Sequence, residues 1–61
     1  MTKLIRMKDV KLMTALSPAT IYRYMAMGKF PQSVKLTEKT NAWIEEEVGE
    51  WVENRIALRV S

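Results

Sequence analysis

Tyr22 and Arg23 set a phenol and a guanidinium side by side, and the small residues Ala19 and Ala26 bracket them at helical spacing. That combination suits the recognition of nucleic acid. A guanidinium can donate two parallel hydrogen bonds to guanine O6 and N7 or pair with a phosphate, and small neighbours let a backbone approach a groove floor. A correct bidentate base contact is worth about 1–3 kcal/mol of discrimination. Thr20 stands on the flank of the same segment, near backbone N–H groups that favour a phosphate oxygen, and the hydroxyl of Ser17 lies just ahead of it. Lys35 and Lys39 add cations on a later segment, where they would follow a sugar-phosphate backbone or a minor groove. The candidate DNA contacts are therefore Ser17, Ala19, Thr20, Tyr22, Arg23, Lys35 and Lys39.

Covalent chemistry has little to work with. The 61 residues include no Cys and no His, which removes disulfides, a thiol nucleophile, sulfur-ligated metal, the commonest metal ligand and the commonest general base. Asp9 is the single aspartate and most glutamates crowd into residues 45–53, so paired carboxylates across a cleft are hard to build. The expectation is no enzyme activity, no catalytic residue, no metal, no cofactor and no small-molecule substrate. No apolar run approaches the roughly 20 residues of a membrane span or forms the core of a signal peptide, so a soluble cytoplasmic protein is expected.

The net charge of +3 is unevenly spread. Residues 1–37 hold Lys3, Arg6, Lys8, Lys11, Arg23, Lys29 and Lys35 against Asp9, for +6. Residues 38–61 hold Lys39, Arg55 and Arg59 against Glu38, Glu45, Glu46, Glu47, Glu50 and Glu53, for −3. A basic half suits a polyanion, and an acidic half orients the other side toward it. Chance asymmetry in a small soluble protein is the alternative.

The elements that must position these residues follow from capping and periodicity. Leu4, Ile5 and Arg6 form a very short strand, and Met7, Val10 and Met13 recur at three-residue spacing, which predicts a two-turn helix near residues 8–14. Ser17 is a good N-cap and Pro18 suits a first helical turn, so a second helix spans residues 18–27 and stops at Gly28, with Pro31 beyond. Val34 and Leu36 then alternate with polar residues. Ala42-Trp43-Ile44 supplies a second strand, and Glu38-Lys39-Thr40-Asn41 a loop of about four residues. The last helix, residues 45 to about 58, opens on glutamates and closes on arginines, as its dipole favours. At about 100° per residue Ile44, Val48, Trp51, Val52, Ile56 and Leu58 share one arc opposite the glutamates, which predicts a strongly amphipathic helix.

A chain of about 60 residues buries only about 60% of its unfolded surface, so residues 1–61 make one small domain. The fold class is α+β: a small winged helix-turn-helix with two short N-terminal helices, a β-hairpin wing and a C-terminal amphipathic helix. On the second helix Ile21, Tyr24, Met25 and Gly28 face inward, and Ala19, Tyr22, Arg23, Ala26 and Met27 outward. Each candidate has a structural alternative. The Tyr22 ring can pack against Leu16 or the wing, Arg23 can be a solvated surface residue, and Ser17 can act only as a cap. Trp43, Trp51, Val48 and Ile21 are core residues, and of the five methionines Met27 looks exposed.

Leu16-Ser17-Pro18-Ala19-Thr20-Ile21-Tyr22-Arg23-Tyr24-Met25, then Gly28-Lys29-Phe30-Pro31, Val34-Lys35-Leu36, Ala42-Trp43, Glu47-Val48 and Trp51 together resemble the AlpA family of phage regulatory proteins. The order and spacing match over nearly the whole chain. The resemblance implies a winged-helix DNA-binding protein, similar in build to phage excisionases and to the DNA-binding half of MerR regulators. It also implies a transcriptional regulator of prophage or genomic-island genes such as an integrase. Its recognition helix falls on residues 17–27, with Thr20, Tyr22 and Arg23 facing DNA, and its wing on residues 35–41. Ala15 stands where the family usually has glycine in the turn, and the wing lacks the family's glycines and arginines, with Glu38 at its tip.

The leading expectation is sequence-specific binding of double-stranded DNA, with a homodimer or head-to-tail array on repeated sites. The competing one is a protein-interaction module, an anti-repressor or adaptor, acting through the C-terminal helix.

Overall fold

A computed structural model describes residues 1–59. The elements run β1 (Leu4–Ile5), α1 (Met7–Thr14), α2 (Pro18–Ala26), β2 (Val34–Thr37), β3 (Thr40–Ile44) and α3 (Glu45–Arg59), the arrangement of a winged helix-turn-helix. Arg6, expected in the first strand, is instead the N-cap of α1: its carbonyl accepts from the N–H groups of Asp9 at 2.9 Å and Val10 at 3.0 Å. At the far end of α1 the Thr14 hydroxyl donates to Val10 O at 2.8 Å and accepts from Leu16 N–H at 3.2 Å.

The turn between α1 and α2 forces Ala15 into the left-handed region, φ 61°, ψ 19°. For an L-residue that conformation costs roughly 1–2 kcal/mol, which glycine would not incur. Ala15 is exposed, so its methyl contributes no core packing. Replacement of Ala15 by Gly relieves this strain but makes the unfolded chain freer, leaving a net gain of up to about 1 kcal/mol. Thermal melts should show Tm rising by several degrees, at about 4–8 °C per kcal/mol for a domain this small. A lower Tm would show that the turn needs the alanine.

Ser17 opens α2 as its N-cap. Its Oγ accepts from Thr20 N–H at 3.3 Å and donates to Thr20 Oγ1 at 3.0 Å, and Pro18 occupies the first turn without forfeiting a bond. The helix is one residue shorter than expected, because Met27 serves as its C-cap. Gly28, at φ 71°, donates to Met25 O at 3.0 Å and Lys29 to Tyr24 O at 2.8 Å, a Schellman closure that needs a residue tolerant of positive φ.

The strands form a three-stranded sheet in the order β1-β3-β2. Both pairings are antiparallel, with Leu4 opposite Ile44, Ile5 opposite Trp43, Val34 opposite Ala42 and Lys35 opposite Asn41. The hairpin is tighter than the expected four-residue loop. Thr37 pairs with Thr40 across Glu38 and Lys39 alone, after a register shift between Lys35 and Thr37, and Thr37 Oγ1 accepts from Lys39 N–H at 3.2 Å. Thr40 and Asn41 thus belong to β3.

The core gathers Ile5, Val10, Ile21, Phe30, Trp43 and Val48, one or two from each layer, with Met7, Leu16, Tyr24, Met25 and Trp51 packed against it. Trp51 is half-buried rather than central; its indole N–H donates to Lys29 O at 2.7 Å and its ring meets Phe30 edge-on at 4.9 Å. The apolar arc of α3 is covered only in part. Val48 is buried and Trp51 and Val52 are half-buried, but Ile56 is 44% and Leu58 65% exposed. At 1.5 Å per residue the 15-residue helix is about 22 Å long, more than so small a core spans, so the strong amphipathicity expected of it is corrected: buried and half-buried residues end at Val52. Met27 is also not alone among exposed methionines, since Met1 and Met13 are exposed with it.

Candidate nucleic-acid interface

Because Ile21 is fully buried and Tyr24 and Met25 are half-buried, the opposite side of α2 is turned to solvent. Ala19, Tyr22, Arg23, Ala26 and Met27 are all exposed there, as the wheel predicts. Gly28, placed with the inward set, is exposed as well. The Tyr22 ring lies 6.3 Å from the Trp43 ring, tilted by 55°, so it rests on the hairpin. It keeps 47% of its surface open, and packing and availability coexist. The Arg23 guanidinium sits 5.9 Å from the Tyr24 ring centroid. Thr20 is half-buried, and both it and Ser17 are engaged with each other at the cap, although the Thr20 hydroxyl proton is not used in that bond.

Lys35 and Lys39 are exposed on the hairpin, Lys39 in the turn beside an exposed Glu38. Among the described residues the ion pair is Lys3–Glu45, at 3.6 Å, so Arg6, Lys8, Arg23, Lys35 and Lys39 carry charge that no acid neutralises at contact distance. The glutamates Glu46, Glu47, Glu50 and Glu53 are exposed on α3. Arg55 lies 5.0 Å from the Trp51 ring centroid and 5.9 Å from that of Tyr24, the ring that Arg23 also approaches.

Between the start of α1, the outer side of α2 and the hairpin lies a cleft of about 260 Å³, lined by Arg6, Met7, Lys8, Tyr22, Lys39, Asn41 and Trp43. It brings Tyr22 and Lys39 together, while Ser17, Ala19, Thr20, Arg23 and Lys35 lie outside its lining. Arg6, Lys8 and Asn41 were not anticipated as functional residues. The signal available for them was weak: two cations in the basic half, and a polar residue two positions before Trp43.

The segments that carry the resemblance, residues 16–25, 28–31, 34–36, 42–43, 47–48 and 51, fall on α2 and the turns on either side of it, on the hairpin and on the first half of α3. Residues 3–56 match the family described as "Prophage CP4-57 regulatory protein (AlpA)". The chain belongs to the AlpA family. Among curated proteins it is similar to "Uncharacterized protein ORF88" of Enterobacteria phage P4, with 39% identity over 57 residues, which cover 93% of this chain and 65% of the relative. The chain therefore spans slightly less than two thirds of that relative's length. The AlpA family is one of prophage regulatory proteins. Within the AlpA frame, the departure at Ala15 is accommodated by a strained left-handed turn rather than avoided, and Glu38 does occupy the hairpin tip. Among the described residues no helix is long and apolar enough to cross a membrane.

Proposed function

We propose that this AlpA-family protein regulates transcription by binding double-stranded DNA sequence-specifically, with α2 in the major groove and the β2–β3 hairpin along the backbone. The observation that carries the reading is the outward face of α2. Ala19 and Ala26 keep that face low, Tyr22 and Arg23 project from it, and unpaired cations continue it onto the hairpin. In this reading Arg23 reads a guanine or grips a phosphate, Tyr22 and Thr20 contact backbone or base edges, and Lys35 and Lys39 neutralise phosphates. Ser17 acts through the cap, with its helix end favouring a phosphate. One module of this size reads only a few base pairs, so useful specificity calls for a homodimer or a head-to-tail array on repeated sites. The controlled genes would be those of a prophage or genomic island, such as an integrase.

The test begins with duplexes selected from a random pool and measures affinity against salt. Neutralising four or five phosphates gives a slope of log K against log salt of about −4. A flat response would remove the reading. The second reading, a protein-interaction surface on α3, draws on the exposed Ile56 beside exposed glutamates. Changing Tyr22 and Arg23 should abolish function under the first reading, and changing the α3 glutamates should do so under the second.

A further inference from the structure

The cleft between α1, α2 and the hairpin has a composition that the reading of α2 does not use. Its cations come from separate parts of the chain: Arg6 and Lys8 from the start of α1, and Lys39 from the hairpin turn. Asn41 and the phenol of Tyr22 supply neutral hydrogen-bonding groups, and Met7 and the buried Trp43 supply apolar wall. No acid lines it. The nearby acids, Asp9 in the first turn of α1 and Glu38 in the hairpin turn, are outside the lining. A volume of about 260 Å³ falls below the roughly 300–1,000 Å³ of ordinary small-molecule pockets, so the cleft favours a compact anionic group over a drug-sized effector. Arg6, the N-cap, makes no side-chain cap bond to the first-turn amides of the eight-residue α1, so that positive helix end adds to the same field.

We infer that this cleft seats one phosphodiester of the bound DNA strand, with Arg6, Lys8 and Lys39 clamping its charge and Met7 facing its sugar. The inference rests on the DNA reading above and deepens it. It adds Arg6, Lys8 and Asn41 to the interface and gives the hairpin a fixed point on the strand beside the groove that α2 enters. Contacts to phosphates carry no sequence information but set register and orientation. With Tyr22 contributing to both the cleft and the outer face of α2, a phosphate held here would fix how Arg23 meets the base edges.

The experiment uses the full chain, a selected duplex and the double variant Arg6→Gln/Lys39→Gln, both changes at exposed positions. A fourfold rise in salt should weaken the wild type about 250-fold and the double variant only about 65-fold, a slope lower by about one as expected for one phosphate, with sequence preference retained. A duplex carrying a single neutral methylphosphonate at the seated position should bind the wild type more weakly yet leave the double variant unaffected, since coupled groups are not additive. Equal salt slopes in the two proteins, or equal losses at every methylphosphonate position, overturn the phosphate seat while leaving DNA binding by α2 intact. A flat wild-type response overturns both. Inorganic phosphate that binds the wild type and not the double variant, yet displaces duplex from the wild type no better than chloride at matched ionic strength, would assign the seat to a free anion and overturn the strand assignment.

Discussion

Replacing Trp43 by Ala should remove the cooperative thermal transition near room temperature or lower Tm by about 20 °C or more, the largest effect of any single substitution in this chain. Trp43 is 1% exposed and is the largest of the fully buried side chains. It sits on the central strand, opposite Ile5 on β1, with the Tyr22 ring of α2 against it, so one side chain joins the sheet and α2. Truncating a buried Trp to Ala costs about 3–5 kcal/mol. At about 0.05–0.15 kcal/mol per residue, a chain of this length holds roughly 3–9 kcal/mol in all, so the loss is comparable to the whole. Trp43→Phe keeps most of the ring volume. Because the Trp43 indole N–H is buried with no acceptor among the described residues, no hydrogen bond is lost either. It should therefore cost about 1–2 kcal/mol and still melt cooperatively. Circular dichroism melts of the two variants test this, and a Trp43→Ala protein that melts within a few degrees of wild type would show that the core is organised elsewhere.

How much of this was legible depends on how local each cause is. The α2 segment is governed by near neighbours: Ser17 caps it, Pro18 tolerates its first turn, and Gly28 supplies the positive φ that closes it. Its extent was readable to within one residue for that reason. The hairpin was misjudged because Thr40 and Asn41 have turn-like chemistry. Pairing with Thr37 and Lys35 of β2 overrides that local preference. Phe30 follows Gly28 and precedes Pro31 with no periodicity to mark it, yet it is 4% exposed against Trp51. On α3 the wheel gave the arc but not the reach of the core along it, which only the packing of α1 and β3 decides. The cleft was the least accessible feature, since Arg6 and Lys8 meet Lys39 and Asn41 only through the chain path. The outward face of α2 was legible because it is the complement of the side formed by Ile21, Tyr24 and Met25.

Arg23→Ala should weaken binding to the selected duplex by about 1–3 kcal/mol, roughly 5- to 150-fold in affinity, with Tm nearly unchanged. The side chain is exposed and has no acidic partner among the described residues, and its approach to the Tyr24 ring at 5.9 Å is worth at most about 0.5–1 kcal/mol at such a site. The form of the loss identifies the contact. A guanidinium seated on guanine O6 and N7 makes discrimination collapse at one base position in the variant, with the salt slope held. A guanidinium on a phosphate makes the loss uniform across sequences and lowers the slope by about one. Arg23→Lys sharpens the distinction, because lysine keeps the charge but lacks the planar fork. It should restore a phosphate contact and fail to restore a base contact. Selection from a random duplex pool with each variant, followed by titration at two salt concentrations, gives both readouts, and a drop in Tm of several degrees on Arg23→Ala would instead make this residue part of the scaffold.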